Sequence, residues 1–160
     1  MKIIRHIAFL AAITAMVCSC DGNGISGTGS GDIPADAGTL SGSWHMTSWG
    51  TVTAADIYVD FRTDGTFDLY QRVYSPYYEH FDGTWTLDGN TLDGNYSDGT
   101  PWRSSYTVSL NEDASELTLT DTFDSEDVSR FIRAAIPEDI LSGILGTKGT
   151  METSSGKGFL

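Results

Sequence analysis

The chain reads as an all-β protein, an antiparallel up-and-down barrel of about eight strands, and three observations lead there. Apolar residues recur with period two through the middle of the sequence. Asp-Gly and Gly-Asn pairs punctuate them as hairpin turns do. No helical stretch long enough to cross over between parallel strands intervenes, so each strand is expected beside the one before it. Such a meander removes its edges most simply by closing on itself. An open or sandwiched sheet is the other arrangement the pattern allows.

The first strand lies at Trp44. In the second, Ile57, Val59 and Phe61 alternate with Tyr58, Asp60 and Arg62, and Asp64-Gly65 turns the chain. Phe67, Leu69, Gln71 and Val73 then share one face, with Tyr70, Arg72 and Tyr74 on the other. Phe81, Gly83, Trp85 and Leu87 repeat the pattern before the turn at Asp88-Gly89-Asn90. Leu92 and Tyr96 mark a short fifth strand, Tyr106, Val108 and Leu110 a sixth, Leu117 and Leu119 a seventh, and residues 128–134 the last. Within residues 137–160, the stretch 138–141 suits a single helical turn; the remainder is poor in core formers and is expected to be a flexible tail. The interior of so small a barrel is just wide enough to be filled by its own side chains or to hold one small ligand. Trp44, Phe61, Phe67, Trp85 and Tyr106 fill it if all point inward, and core is the first expectation for each.

Ahead of the barrel, Lys2 and Arg5 give a positive start, residues 7–17 an apolar stretch too short to span a bilayer, and Ser19 a small residue before Cys20. This resembles a bacterial lipoprotein signal with its lipobox. The resemblance implies that residues 1–19 are a signal peptide and that Cys20 carries a diacylglycerol on its thiol and an acyl chain, such as palmitate, on its amine. The protein would then be held at a membrane of the cell envelope, expected to be the outer membrane, on a face the sequence leaves open. Both cysteines lie in this motif, so Cys18 is discarded, Cys20 is alkylated, and no thiol remains for a disulfide or a metal. Two or three acyl chains anchor durably where a single chain binds marginally. Residues 20–39 are the lipidated cysteine and a Gly-, Ser- and Asp-rich linker, expected to be flexible. Residues 40–136 carry almost all the aromatics and form one domain.

The formal net charge is −13, and loss of Lys2 and Arg5 with the signal makes it −15. Nucleic acid and direct docking on anionic lipid are poor matches for such a surface. The carboxylates are scattered without an uninterrupted block, as on a solvated, mutually repelling exterior.

Leu40-Ser-Gly42-Ser-Trp44 resembles the Gly-x-Trp opening strand of lipocalins. The run Val59-Asp-Phe61, Asp64-Gly-Thr-Phe67, Gly83-Thr-Trp85-Thr-Leu87 and Leu117-Thr-Leu119 is similar to the lipocalin-like (calycin) domain of Gram-negative envelope lipoproteins. The resemblance covers residues 40 to 134. It implies a barrel closed at one end by Trp44, with a basic side chain of the last strand, Arg130 or Arg133, over the tryptophan, Trp85 in a structural role, and an interior able to take a small apolar molecule. The domain is shorter than a typical lipocalin and lacks the family's long C-terminal helix and disulfide.

Tyr74, Tyr77, Tyr78 and Trp102 are the candidates for the other end. Pro76 breaks the strand among the tyrosines, and aromatics crowded into loops offer stiff amphipathic surface for a ligand or partner, or fold back as a lid on the core. The run from Asp88 to Gly99 looks calcium-like, yet its glycines do not match an EF-hand loop and no Glu closes it. No cofactor or metal is expected. Catalytic motifs are absent: there is no Gly-x-Ser-x-Gly elbow and no His-Glu-x-x-His pair. Asp60, Asp68 and Glu79 show no spacing that selects two of them as acid and base. The sequence therefore supports two functions from different classes. One is a membrane-anchored barrel binding a small apolar or amphipathic molecule, with Trp44 at the base and Tyr74, Tyr77, Tyr78 and Trp102 near the entrance. The other is a solid barrel scaffold gripping an envelope protein or glycan, as an inhibitor would.

Overall fold

The alternation resolves into eight strands, each paired with its successor and the last paired back with the first to close the barrel. In this computed structural model residues 35–52, 54–73, 75–143 and 158–160 are described. The signal segment, Cys20, the linker to residue 34 and Tyr74 lie outside the described residues. The order is α1 (Ala37–Leu40), β1 (Gly42–Trp49), β2 (Asp56–Phe61), β3 (Thr66–Arg72), β4 (Glu79–Asp88), β5 (Thr91–Tyr96), β6 (Tyr106–Leu110), β7 (Glu116–Asp121), β8 (Val128–Arg133) and α2 (Glu138–Leu141).

Register explains why the inward residues meet. Val59 lies opposite Leu69 and Phe61 opposite Phe67; Leu69 and Phe67 in turn lie opposite Phe81 and Gly83. Side chains alternate faces along a strand, so these partners point the same way, and Ile57, Val59, Phe61, Phe67, Leu69 and Phe81 are buried together. Gly83 is the exception in size. A Cβ there would run into the Asn95 main-chain oxygen and the Phe67 ring, so the absent side chain makes room for that ring. Trp44, Phe61, Phe67, Trp85 and Tyr106 all enter the core.

The β5–β6 seam holds two register pairs, Thr91 with Thr107 and Leu92 with Tyr106. Around it, the Val108 N–H donates to the Asn90 oxygen (2.8 Å), and the Trp102 N–H, from the connection after β5, donates to the Gly94 oxygen (3.0 Å).

A meander places its connections alternately at two ends. The turns β2–β3, β4–β5 and β6–β7 share one end, the base, with α1. The connections β1–β2, β3–β4, β5–β6 and β7–β8 share the other, the mouth. The linker expected over 20–39 stops short at the base. Asp36 and Thr39 form a capping box, with the Asp36 carboxylate accepting from the Thr39 N–H (2.8 Å) and the Thr39 hydroxyl accepting from the Asp36 N–H (3.0 Å). The single turn so fixed carries Leu40 into full burial.

The tail also departs from expectation. Residues 138–141 form the anticipated turn, with Ile140 buried. Phe159 and Leu160, expected in a flexible tail, are 4% and 1% exposed and belong to the barrel's core cluster. Their local composition is polar, but two large apolar side chains gain more from that interior than the chain entropy they lose.

Candidate binding site at the barrel mouth

The base is closed by the opening strand. The Trp44 indole N–H donates to the Leu40 oxygen (2.8 Å), and the Arg133 guanidinium lies 4.1 Å from the centre of the Trp44 ring. Arg133 also donates from Nε to the Ala114 oxygen (2.9 Å), from Nη1 to the Ser41 oxygen (2.7 Å) and from Nη2 to the Thr39 oxygen. Five donors on a planar fork suit this convergence of carbonyls. Of the two arginines weighed for the position, Arg133 occupies it and Arg130 is exposed on the outside of β8. Trp85 sits near the same end, edge-on to Phe61 at 5.5 Å, its indole N–H donating to the Thr66 oxygen (3.0 Å).

At the mouth the strands leave room for a guest, and Gly158, Phe159 and Leu160 occupy it. The Phe159 ring meets Trp49 edge-on at 5.0 Å and Phe131 at 6.1 Å, and stacks with Tyr106 at 6.4 Å. Gln71, wholly buried at an inward position of β3, accepts from the Phe159 N–H through Oε1 (2.7 Å). The Tyr96 hydroxyl donates to the Leu160 oxygen (2.6 Å); burial pushes its pKa up, so it remains a donor throughout the ordinary pH range. Arg103 bridges the rim, donating from Nη2 to Asp127 (2.7 Å) and from Nε to the Tyr106 hydroxyl (3.2 Å), with the Trp49 ring 5.6 Å away. The Trp49 N–H donates to the same Asp127 carboxylate (3.1 Å).

The loop aromatics separate. Trp102 is buried in the core beside Phe67 (5.3 Å) and Tyr106 (6.3 Å). Its indole N–H is a buried donor with no partner among the described residues. Tyr77 is 55% exposed. Tyr78 turns to the outer face, where its hydroxyl donates to Asp56 and Arg72 lies 5.1 Å from its ring. Thus Trp102 joins the interior, Tyr77 the rim and Tyr78 a buried place against the outer face of β2 and β3, with Trp44 at the opposite end; Tyr74 lies outside the described residues. The sequence reading missed Trp49, Gln71, Tyr96, Phe131 and residues 158–160. The one available signal was a Phe-Leu pair after a long polar stretch.

The outer face of β1 to β4 is polar and self-satisfied. His45, Tyr58, Tyr70 and His80 are register neighbours in one row. His45 stacks on Tyr58 (4.2 Å) and His80 on Tyr70 (4.6 Å). Asp56 takes hydrogen bonds from Tyr78, His45 and Arg72; burial works against its charge, but these three partners outweigh it and hold its pKa below the usual carboxylate value. Asp60 and Asp68 pair across β2 and β3, and both meet Arg62, with His80 also on Asp68. These carboxylates, considered as an acid and base, are therefore committed to cations.

Fold and site together define a small barrel of the calycin type, with a tryptophan-closed base and a mouth that holds residues 158–160. The chain belongs to the lipocalin-like domain family, whose sequence model matches residues 40–123, just over half of its length. That match ends in the β7–β8 connection, and the structure supplies the closing strand. The NMR structure of a protein from Bacteroides uniformis ATCC 8492 superposes with a TM-score of 0.50 at 16% identity, covering 64% of this chain and 96% of that one, a likeness of fold alone. No curated protein matches the sequence. A lipocalin-like barrel suits ligand binding in general, and such domains are typically binding proteins and not enzymes.

Proposed function

We propose that this protein is a lipid-anchored, non-enzymatic binding barrel of the cell envelope that holds a small apolar or amphipathic molecule in the mouth half of its interior. One observation carries the reading: Phe159 and Leu160, which belong to no strand, are buried inside the barrel. A barrel that houses two extra side chains has an interior that its own strands do not fill. The lining pairs apolar rings with a few polar groups, Gln71, Tyr96 and Trp102, which is the make-up of sites for small ligands. Anchoring rests on the lipobox at Cys20. The acyl chains would hold the barrel at the membrane while the acidic exterior stays in water.

Native mass spectrometry of residues 21–160, incubated with an envelope extract, tests the binding reading. A reproducible small-molecule adduct is expected, stronger in a chain carrying Phe159→Ser and Leu160→Ser. Absence of any adduct from both proteins sinks it. A second reading, a scaffold that grips a partner protein or glycan, draws on the exposed Phe123 and Tyr77, 88% and 55% accessible on two mouth loops. A protein-sized adduct lost on replacing both by Ser would favour it.

A further inference from the structure

We infer that the mouth is a peptide-binding site, selective for an extended Gly-aromatic-aliphatic segment, and that Gly158, Phe159 and Leu160 are its occupant in cis. This rests on the proposed binding function and narrows its ligand class.

The first reason is main-chain recognition. Gln71 Oε1 accepts the Phe159 N–H and the Tyr96 hydroxyl donates to the Leu160 oxygen, so the site presents one acceptor and one donor to a peptide backbone. A peptide supplies an N–H to the first group and an oxygen to the second at once, whereas a hydrocarbon supplies neither.

The second reason is steric. A Cβ at Gly158 would meet the Tyr96 hydroxyl and ring, so a larger residue there has to displace the side chain that donates to Leu160. Glycine at this position is thus read by shape. The next position is read by the Trp49, Tyr106 and Phe131 rings, which leave Phe159 4% exposed, and the last by a pocket that leaves Leu160 1% exposed.

The third reason is the Trp102 indole N–H, buried against Phe67 and Tyr106 and without a partner among the described residues. Tyr106 links it to the Phe159 ring. Buried indole donors find acceptors, and residues 158–160 supply none to this one among the described residues.

The test uses the full chain carrying Phe159→Ser and Leu160→Ser, and the blocked tetrapeptide acetyl-Lys-Gly-Phe-Leu-amide, with binding measured by calorimetry. The peptide is expected to bind this variant at least about tenfold more tightly than wild type, where the cis segment competes. Replacing its Gly by Ala, or N-methylating its Phe, should weaken binding about tenfold, the amide hydrogen bond and the close approach being lost. Equal binding of all three peptides would overturn the inference, because the site would then read apolarity alone. N-phenyl-1-naphthylamine separates the two levels. Binding of this probe without the peptide leaves the small-ligand reading standing and removes the peptide; binding of neither removes both. Because the double variant depends on folding without its guest, hydrogen exchange on wild type gives an independent check. The Phe159 amide should be protected and become at least about tenfold less so in Tyr96→Phe; an unprotected amide in wild type overturns the inference.

Discussion

Arg133 does its work through one guanidinium that covers the Trp44 ring and donates to the oxygens of Thr39, Ser41 and Ala114. Arg133→Ala should lower stability by about 1–3 kcal/mol in urea unfolding, and Arg133→Lys should recover only part, because an ammonium cannot span three carbonyls in a plane. His80 yields a pH prediction. Burial lowers its pKa, Asp82 opposes and Arg62 adds to the lowering, and its Nε2 lies 2.7 Å from Asp68. The neutral ring therefore donates to a carboxylate whose charge Arg62 already meets. Unfolded His80 binds a proton at higher pH than the folded residue does. Its contribution to stability is complete above the unfolded value, about 6.5, and is lost as pH falls below it toward the folded one. Urea midpoints taken from pH 7.5 to 5 should decline, and His80→Gln should flatten the decline. At this scale the resemblance to lipocalins narrowed the basic partner of Trp44 to two residues. It could not choose between them, because the choice depends on the β1–β8 register, in which Trp44 faces Arg133.

The strands were the legible elements. A half-buried strand writes its period into the sequence, and turn glycines mark its ends; Gly65, Gly89 and Gly99 indeed carry positive φ of 81°, 57° and 86°. The β4–β5 pairing shows what a single residue contributes to an element. Gly83→Ala should destabilise the barrel by about 1–3 kcal/mol, since its new methyl group meets main chain as well as the Phe67 ring and cannot be relieved by a rotamer change. Thermal melts of Gly83→Ala beside Gly89→Ala, where a Cβ meets nothing within 4 Å, separate crowding from the loss of glycine freedom. Two elements escaped the reading. The α1 capping box lies inside a Gly-, Ser- and Asp-rich run whose composition drowns the Asp36 and Thr39 signal. Residues 158–160 have no periodicity at all, and their place is fixed by groups on β1, β3, β5, β6 and β8 that no local pattern announces.

For the molecule as a whole, the two ends differ in what closes them. At the base, strand and turn residues close the barrel themselves; at the mouth, a segment from outside the strands does so. Phe159→Ala should therefore cost about 2–4 kcal/mol of unfolding free energy while raising uptake of an apolar fluorescent probe, a pairing that a core truncation at Phe61 would not show. The expectation that large aromatics fill the interior holds for the base half. For the mouth half it was incomplete, because Trp49, Tyr106 and Phe131 also pack around the ring of Phe159, which belongs to no strand.

Seven of the barrel's eight seams join neighbours in sequence, and the eighth joins β1 to β8. During synthesis the hairpins can zip as they emerge, but β1 keeps one edge bare until nearly the whole domain has been made. Bringing that edge to β8 is the step with the largest loop to close, and it is expected to set the folding rate. Until then the edge is a template for any passing strand. The Arg133 fork, reaching from the end of β8 to the residues just ahead of β1, is thus the last-made part of the barrel holding its first-made part, and newborn chains that lose it would spend longest with that edge exposed.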